Sequence, residues 1–499
     1  MTTTTTPTLS GTNVTFSFDP LAFGPKITPL YNGTFTIAWD SNSPDSDIFA
    51  RHFNERGAFT GGDFLRALSA ADPKSISSPR LYQQADGKVR VIYQELSAPG
   101  DNDIFLHIPD SQKFTPQTNR FPIENTSLND VLIDGTPLAT GGGAIAYQEF
   151  VGSRQNLVLR MVDSSGNHAS NQIYVGANPG QLQQNAAIAS VGVDRVAVVY
   201  ENVNQTTFAR DVRLHTYAKN ETDISGEVFV SAPNVNAAFP DVVTLRDQIT
   251  SVVAWQQNGG IGFRRYSSTG TPLDATPLFV PNSAGGFVPK IAPLKNDGGF
   301  IIAWTAIVGK ETDGSPDLDV LMQRFDASGT PVGTLIDIRD PGDQGLLSMD
   351  IATLADGRVV LTYGSETGDS TNINTLNYRI VDPRDSNIFG TSWDDNIVGR
   401  EDASIIESGD GNDKLTGRDG NDVLDAGAGD DTLKGGDGDD TLKGGLGFDV
   451  MSGGSGADIF AYKAPSEGGD TITDLTVGVD KLQFVASAFG NFTNTNFDG

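Results

Sequence analysis

The carboxylates best placed to do chemistry lie in the last quarter of the chain and recur every nine residues. They are Asp413, Asp422, Asp431, Asp440, Asp449 and Asp458. Glycine stands two residues before each, at Gly411, Gly420, Gly429, Gly438, Gly447 and Gly456. It also stands four residues before five of them, at Gly409, Gly427, Gly436, Gly445 and Gly454. A large apolar residue follows two positions later: Leu415, Leu424, Leu433, Leu442, Met451 and Phe460. Glycine allows positive φ and lets the backbone turn its carbonyl oxygens inward. Carbonyls and a carboxylate are hard oxygen donors, of which calcium takes about six to eight. A six-residue turn and a three-residue strand are expected, with the apolar side chain pointing into a thin core. Two degenerate copies precede these in phase. One keeps Asp395 and Ile397 but has Trp393 where glycine belongs, and the other has Ser404 in the aspartate slot. No full site is therefore expected between Ser404 and Asp422.

The best copies, GGDGDDTLK (435–443) and GGLGFDVMS (444–452), resemble the RTX nonapeptide G-G-x-G-x-D-x-U-x. The resemblance implies a flattened parallel β-roll whose consecutive turns alternate sides, with Ca2+ between turns two repeats apart. Asp413, Asp431 and Asp449 then line one edge, and Asp422, Asp440 and Asp458 the other. It also implies export by a type I secretion exporter that reads an uncleaved C-terminal segment. Residues 457–462 and 468–484 are similar to the segment that follows the repeats in secreted serralysin-like proteins. The last stretch, 489–499, carries few charges.

A second, longer repeat fills the preceding residues. A β-rich run ends in an aromatic residue seven times, at Trp39, Tyr93, Tyr147, Tyr200, Trp255, Trp304 and Tyr363. The period is about 54 residues. An apolar residue lies 12 before the aromatic in five units (Ile27, Leu81, Ile188, Val243, Ile351) and 13 before in the sixth (Ile291). Turn pairs such as Asn32-Gly33, Asp86-Gly87 and Asp356-Gly357 separate the two strands and supply positive φ. The third unit, with a shortened TPLATGGGAIAY, matches least well. A third strand follows each aromatic, as in DIFARHF (47–53) and DVLMQRF (319–325), and a fourth follows, as in EVFV (227–230) and TLIDI (334–338).

Four strands per unit, seven times over, predict a seven-bladed β-propeller. Stacked β-sandwiches need ~90–100 residues each, so the period disfavours them. The alternating NVTFSF (13–18) has no partner in its own unit and is expected to complete the seventh blade. The fold class is thus all-β: a propeller over 1–385, a calcium-binding parallel β-roll over 386–461, and a C-terminal cap with the secretion signal region over 462–499. Units such as 298–304 with 319–329 resemble a module often attached to RTX tails in exported bacterial proteins.

Composition narrows the function. The formal net charge of −29 disfavours nucleic acid, because phosphate binding needs clustered Lys and Arg. Much of the acid sits in the nonapeptides, which should stay unfolded without metal. There is no cysteine, so neither disulfides nor thiol chemistry are available. The N-terminal MTTTTTPTLSG has no basic n-region and no apolar h-region. No apolar stretch approaches the ~20 residues of a transmembrane helix. An extracellular or cell-surface location is expected.

The four histidines, His52, His107, His168 and His215, form no H-E-x-x-H, and no G-x-S-x-G elbow is present. The suggestive constellation follows the blade aromatics: Asp40, Glu95, Glu149, Glu201 and Gln256, with neighbouring amides. If they ring one end of the propeller, they could hydrogen-bond sugar hydroxyls beside Trp and Tyr faces, or act as paired carboxylates on a glycosidic bond. The plain alternative is that they cap strand ends. The acidic segments 43–47, 99–103 and 312–319 do not match an EF-hand and read as solvated loops. The reading is a secreted, non-enzymatic calcium-binding protein whose propeller attaches to polysaccharide, cell-surface glycan or matrix. The alternatives are an extracellular glycosidase or lyase using Glu95, Glu149 or Glu201, and a structural surface-layer component.

Overall fold

The computed structural model describes residues 8–485, apart from 18–21, 31–33, 42–47, 54–75, 85, 99–100, 109–119, 125–127, 153, 169–170, 177–180, 234, 295–297, 311–315, 339–345, 355–356, 367–372, 384–386, 390–395 and 401. Of the described residues, 11–381 form one compact unit, and 8–10 with 382–485 form the second.

The first unit is a seven-bladed propeller of antiparallel sheets. Blade 4 shows the plan: Gln181–Val191, Arg195–Asn204, Arg210–Ala218 and Val228–Phe229 pair in sequence order. Blades 2, 3, 5 and 6 repeat it, and blade 1 has three described strands. In blade 7 the outer place is taken by Thr8–Ser17, which pairs with Ile373–Asp382. The first strand of the chain therefore lies in the same sheet as the last strand of the propeller.

Burial explains the aromatic period. All seven repeat aromatics are at most 3% exposed. They fill seven apolar clusters, each joining two adjacent blades. The cluster that closes the ring combines Phe35, Ile37 and Trp39 of blade 1 with Leu354, Val360 and Tyr378 of blade 7. Blade 3 departs from the pattern at Gly135, where the other blades carry the apolar residue. A Cβ there would strike Ile92 Cδ1. Ile92 and Tyr82 of blade 2 take up the space, which is why this unit matches the repeat least well.

The second unit is a parallel β-solenoid. Odd and even turns form two sheets: Ile405–Asp410, Val423–Ala428, Thr441–Leu446 and Ile459–Tyr462 in one, Lys414–Asp419, Thr432–Asp437 and Val450–Ser455 in the other. Paired residues differ by 18, as in Leu415 with Leu433. The apolar residues of the repeat are at most 1% exposed and form one core. The paired segments are six residues long rather than three. The glycine turns stay in the ladder through bonds such as Gly429 N to Leu446 O at 2.8 Å.

The solenoid also runs past the nonapeptides. Thr471–Ile472 and Lys481–Phe484 add a strand to each sheet. Asp470 and Asp480 accept the N–H of Asp449 and Asp458, each at 3.0 Å. Their spacings from those residues, 21 and 22, break the nine-residue phase and hid the extra turns from sequence inspection.

Candidate metal centre and channel site

In the solenoid the repeat aspartates from Asp422 to Asp458 divide their carboxylates between two tasks. One oxygen accepts the backbone N–H of the aspartate 18 residues earlier: Asp431 from Asp413 at 2.7 Å, Asp440 from Asp422 at 2.8 Å, Asp449 from Asp431 and Asp458 from Asp440 at 2.9 Å. The other oxygen of Asp422, Asp431, Asp440, Asp449 and Asp458 is buried and has no hydrogen-bond partner. A buried carboxylate oxygen left so is unfavourable unless a cation meets it. Several of these oxygens lie against the preceding turn's backbone, since a Cβ on Gly435, Gly444 or Gly453 would strike them. Ser408 and Ala426 occupy that slot ahead of Asp413 and Asp431.

Burial, reinforced by the neighbouring aspartates, pushes Asp422 up to about 7 and Asp431 and Asp440 up to about 6. Asp449 and Asp458 are raised for the same reason. The orphaned oxygens, beside glycines whose positive φ frees their carbonyls to turn inward, fit a row of Ca2+ ions, with the aspartates alternating between two edges. Gly411, Gly420, Gly429, Gly438, Gly447 and Gly456 all take positive φ. So do Gly409, Gly427, Gly436, Gly445 and Gly454, and in the same slot so does Arg418, at 92°. At the Ser404 turn the charge is supplied differently. Arg400, 1% exposed, pairs with Asp402 at 2.6 Å, and Ser404 N donates to Asp422 at 2.6 Å. Asp395 lies outside the described residues.

In the propeller, the residues singled out after the aromatics do not form one ring. Asp40, Glu201 and Gln256 stand one position past the aromatic, whereas Glu95 and Glu149 stand two past it, and successive residues of a strand face opposite sides. The carboxylates of Glu95 and Glu201 are also occupied, and the Asp40 side chain lies outside the described residues. Glu95 pairs with Arg120 at 2.6 Å. Glu201 accepts from Gln184 at 2.9 Å and Asn185 at 2.8 Å and pairs with Arg210 at 3.1 Å. Glu149 receives longer bonds from Asn156 and Gln172, at 3.3 and 3.4 Å. The Trp and Tyr faces are buried between blades and offer no stacking platform to a sugar. The histidines are in unrelated settings: His52 meets Thr36 at 2.6 Å, His215 meets Asp223 at 2.9 Å, His107 is buried, and His168 is exposed.

A different ring emerges on the first strands. Five blades carry a bulge opposite the aromatic: Gly24-Pro25, Ser78-Pro79, Asn185-Ala186, Phe239-Pro240 and Val288-Pro289. Ser78, Asn185, Phe239 and Val288 have φ between 47° and 56°, unfavourable for a β-branched valine above all. The bulge re-aims the next residue. Lys26, Arg80, Asp241 and Lys290 follow such bulges, and with Asp134 and Asp350 they surround a cavity of about 420 Å³. Residues of all seven blades line it, blade 4 contributing Asn185 and Ala187.

Three cations and three carboxylates balance there. Asp350 takes Ile27 N–H at 3.0 Å and Lys26 at 3.8 Å; Asp241 takes Ile291 N–H at 3.1 Å and Lys290 at 3.8 Å. Each carboxylate thereby also ties its blade to the next. Burial lowers the Lys26 ammonium despite Asp350, and raises Asp241 despite Lys290. Burial also acts to lower Lys290, but Asp241, Asp350 and Asp134 outweigh it and raise that ammonium. The recurring tetrapeptides GPKI, SPRL, FPDV and VPKI were the sequence signal for this ring.

Residues 389–424, 398–433 and 434–462 match the family model of the RTX calcium-binding nonapeptide repeat. The C-terminal region therefore carries RTX calcium-binding repeats, which suggest a secreted protein. No curated protein matches the chain. Among solved structures, a protein of unknown function from Dyadobacter fermentans is 12% identical, with TM-score 0.45, over 74% of this chain and 98% of that one. An α-L-arabinanase from Penicillium chrysogenum is 13% identical, with TM-score 0.44, over 66% and 100%. A polysaccharide lyase of family PL25, an ulvan lyase, is 10% identical, with TM-score 0.46, over 73% and 95%. No helix among the described residues is long and apolar enough to cross a membrane.

Proposed function

We propose that this is a secreted calcium-binding protein that attaches to extracellular polysaccharide through the propeller's channel mouth, without turning it over. The observation that carries the reading is the cavity lined by residues of all seven blades, with three cations and three carboxylates in balance. Such a site offers both donors and acceptors and no net charge. It suits the hydroxyls of a neutral sugar better than a polyanion, which would meet Asp134, Asp241 and Asp350. The carboxylates already accept neighbouring N–H groups, which favours binding over proton transfer. The RTX solenoid fits export through a type I system: unfolded at low cytosolic calcium, it folds where calcium reaches the range of extracellular sites, about 10⁻⁴ to 10⁻³ M.

The test is a panel of neutral and anionic polysaccharides presented to the calcium-loaded full chain, with retention and release of new chain ends measured together. Retention on neutral glycans without release, weakened by Lys290→Ala, is the expected result. New chain ends would establish the enzyme instead. Silence on both, with calcium-driven self-assembly, would establish a structural surface component.

A further inference from the structure

In each blade the first strand meets the second at an equivalent position two residues past the aromatic. The pair is Ile76–Glu95 in blade 2, Gln183–Asn202 in blade 4 and Ala237–Gln257 in blade 5. In blade 3 it is Asp130–Glu149. Of the seven blades only this one sets two carboxylates opposite each other, an arrangement that repels. Asp130 is 0% exposed, and neither of its carboxyl oxygens has a hydrogen-bond partner. Glu149 is buried as well; its partners are two long amide contacts from Asn156 and Gln172 and the half-exposed Tyr174 hydroxyl, none of them a cation.

The adjoining strand of blade 2, Asp101–His107, adds more acid rather than a counter-charge. Asn102 Nδ2 donates to Asn129 Oδ1 at 2.8 Å and ties that strand to Asp130's own. Asp101, on the same strand, has a buried Oδ1 without a partner. This is the acidic segment 99–103 that reads from sequence as a solvated loop. The arginines on neighbouring strands of blades 2 and 3 are committed elsewhere: Arg160 to Glu124 and Arg120 to Glu95, each at 2.6 Å.

We propose that the propeller holds its own calcium ion between Asp130 and Glu149, on the side of blade 3 that faces Asp101 of blade 2. The available donors are all oxygen, with no sulfur or imidazole, which selects a hard cation. Calcium tolerates the irregular geometry better than magnesium does. Among the described residues no three acidic or histidine side chains converge tightly enough to hold an ion alone. Backbone carbonyls and water complete the shell. A proton shared by the two acids is the competing arrangement, but it requires a hydrogen bond that Asp130 does not make. The ion links blades 2 and 3 and is independent of the RTX solenoid.

The test counts bound ions in the full chain by native mass spectrometry in calcium, comparing wild type with Asp130→Gln. That variant copies the glutamine of blade 4. The expected result is one fewer calcium ion, an unchanged calcium-induced β signal from the solenoid, and a calcium-free protein that melts no lower than wild type. An unchanged ion count would overturn the proposal, whatever the melting temperature does. If Asp130→Gln does not fold, Glu149→Gln reads the same count: loss of one ion supports the site and retention of all refutes it.

Discussion

The propeller and the solenoid are both built by repetition, yet they handle buried acid in opposite ways. In the propeller nearly every buried carboxylate finds a donor inside the protein. Glu201 has two amides and an arginine, Asp350 a backbone N–H and a lysine, and Glu95 an arginine. In the solenoid Asp422, Asp431, Asp440, Asp449 and Asp458 each give one oxygen to the backbone 18 residues away and leave the other without a protein partner. A 54-residue unit has room for its own counter-charges and for a two-sided apolar core. A nine-residue unit buries one apolar side chain and must borrow its counter-charge from solution. The first should stand without metal, and the second should be folded by it.

The harshest way to break that contrast is to remove one aspartate from each edge of the solenoid. Asp440→Ala with Asp449→Ala should abolish the calcium-induced β signal at millimolar calcium, followed by circular dichroism, while the propeller's melting transition stays in place. Next in size is the backbone itself. Gly447 has φ of 137°, and a Cβ there would strike Gly429 O. Gly447→Ala should raise the calcium midpoint by about tenfold or more, as ~1–2 kcal/mol of left-handed strain implies. Gly445→Ala should cost about as much, because a Cβ there would strike Gly427 O in the same way.

Acidity sharpens the contrast further. In the ion-free solenoid, folding raises Asp422 to about 7 and Asp431 and Asp440 to about 6. Their contribution to stability is then present below the unfolded carboxylate value of ~3.9 and lost as pH rises through 6 to 7. Calcium must displace those protons from whatever calcium-free solenoid is folded, so its midpoint should rise as pH falls from 8 to 5 in proportion to that folded fraction. A calcium titration at three pH values reads this directly. The smallest effect belongs to the propeller bulge. Val288→Asn copies Asn185 at a left-handed position and should raise the propeller's stability by ~1 kcal/mol, seen as a small upward shift in its melting temperature.

What could be read from the residues followed from period. Six aspartates in phase and seven aromatics at a common spacing reveal a stacked solenoid and a closed ring, because each type serves one job in every copy. What could not be read depended on breaks in period or on burial. Asp470 and Asp480 extend the solenoid at spacings of 21 and 22 and match no nonapeptide. Glu95 and Glu201 looked equivalent, but a one-residue offset puts them on opposite strand faces. The ring of Lys26, Arg80, Asp241 and Lys290 was present as x-Pro-charged-apolar tetrapeptides. Its meaning required the bulge, which spacing alone does not show.

The central contrast is tested most directly by hydrogen–deuterium exchange on the full chain with calcium and with a chelator. Amides of residues 404–484 should lose protection when calcium is removed, while the blade strands between residues 22 and 381 keep theirs. Protection of the solenoid without calcium, or equal loss from both units, would contradict it.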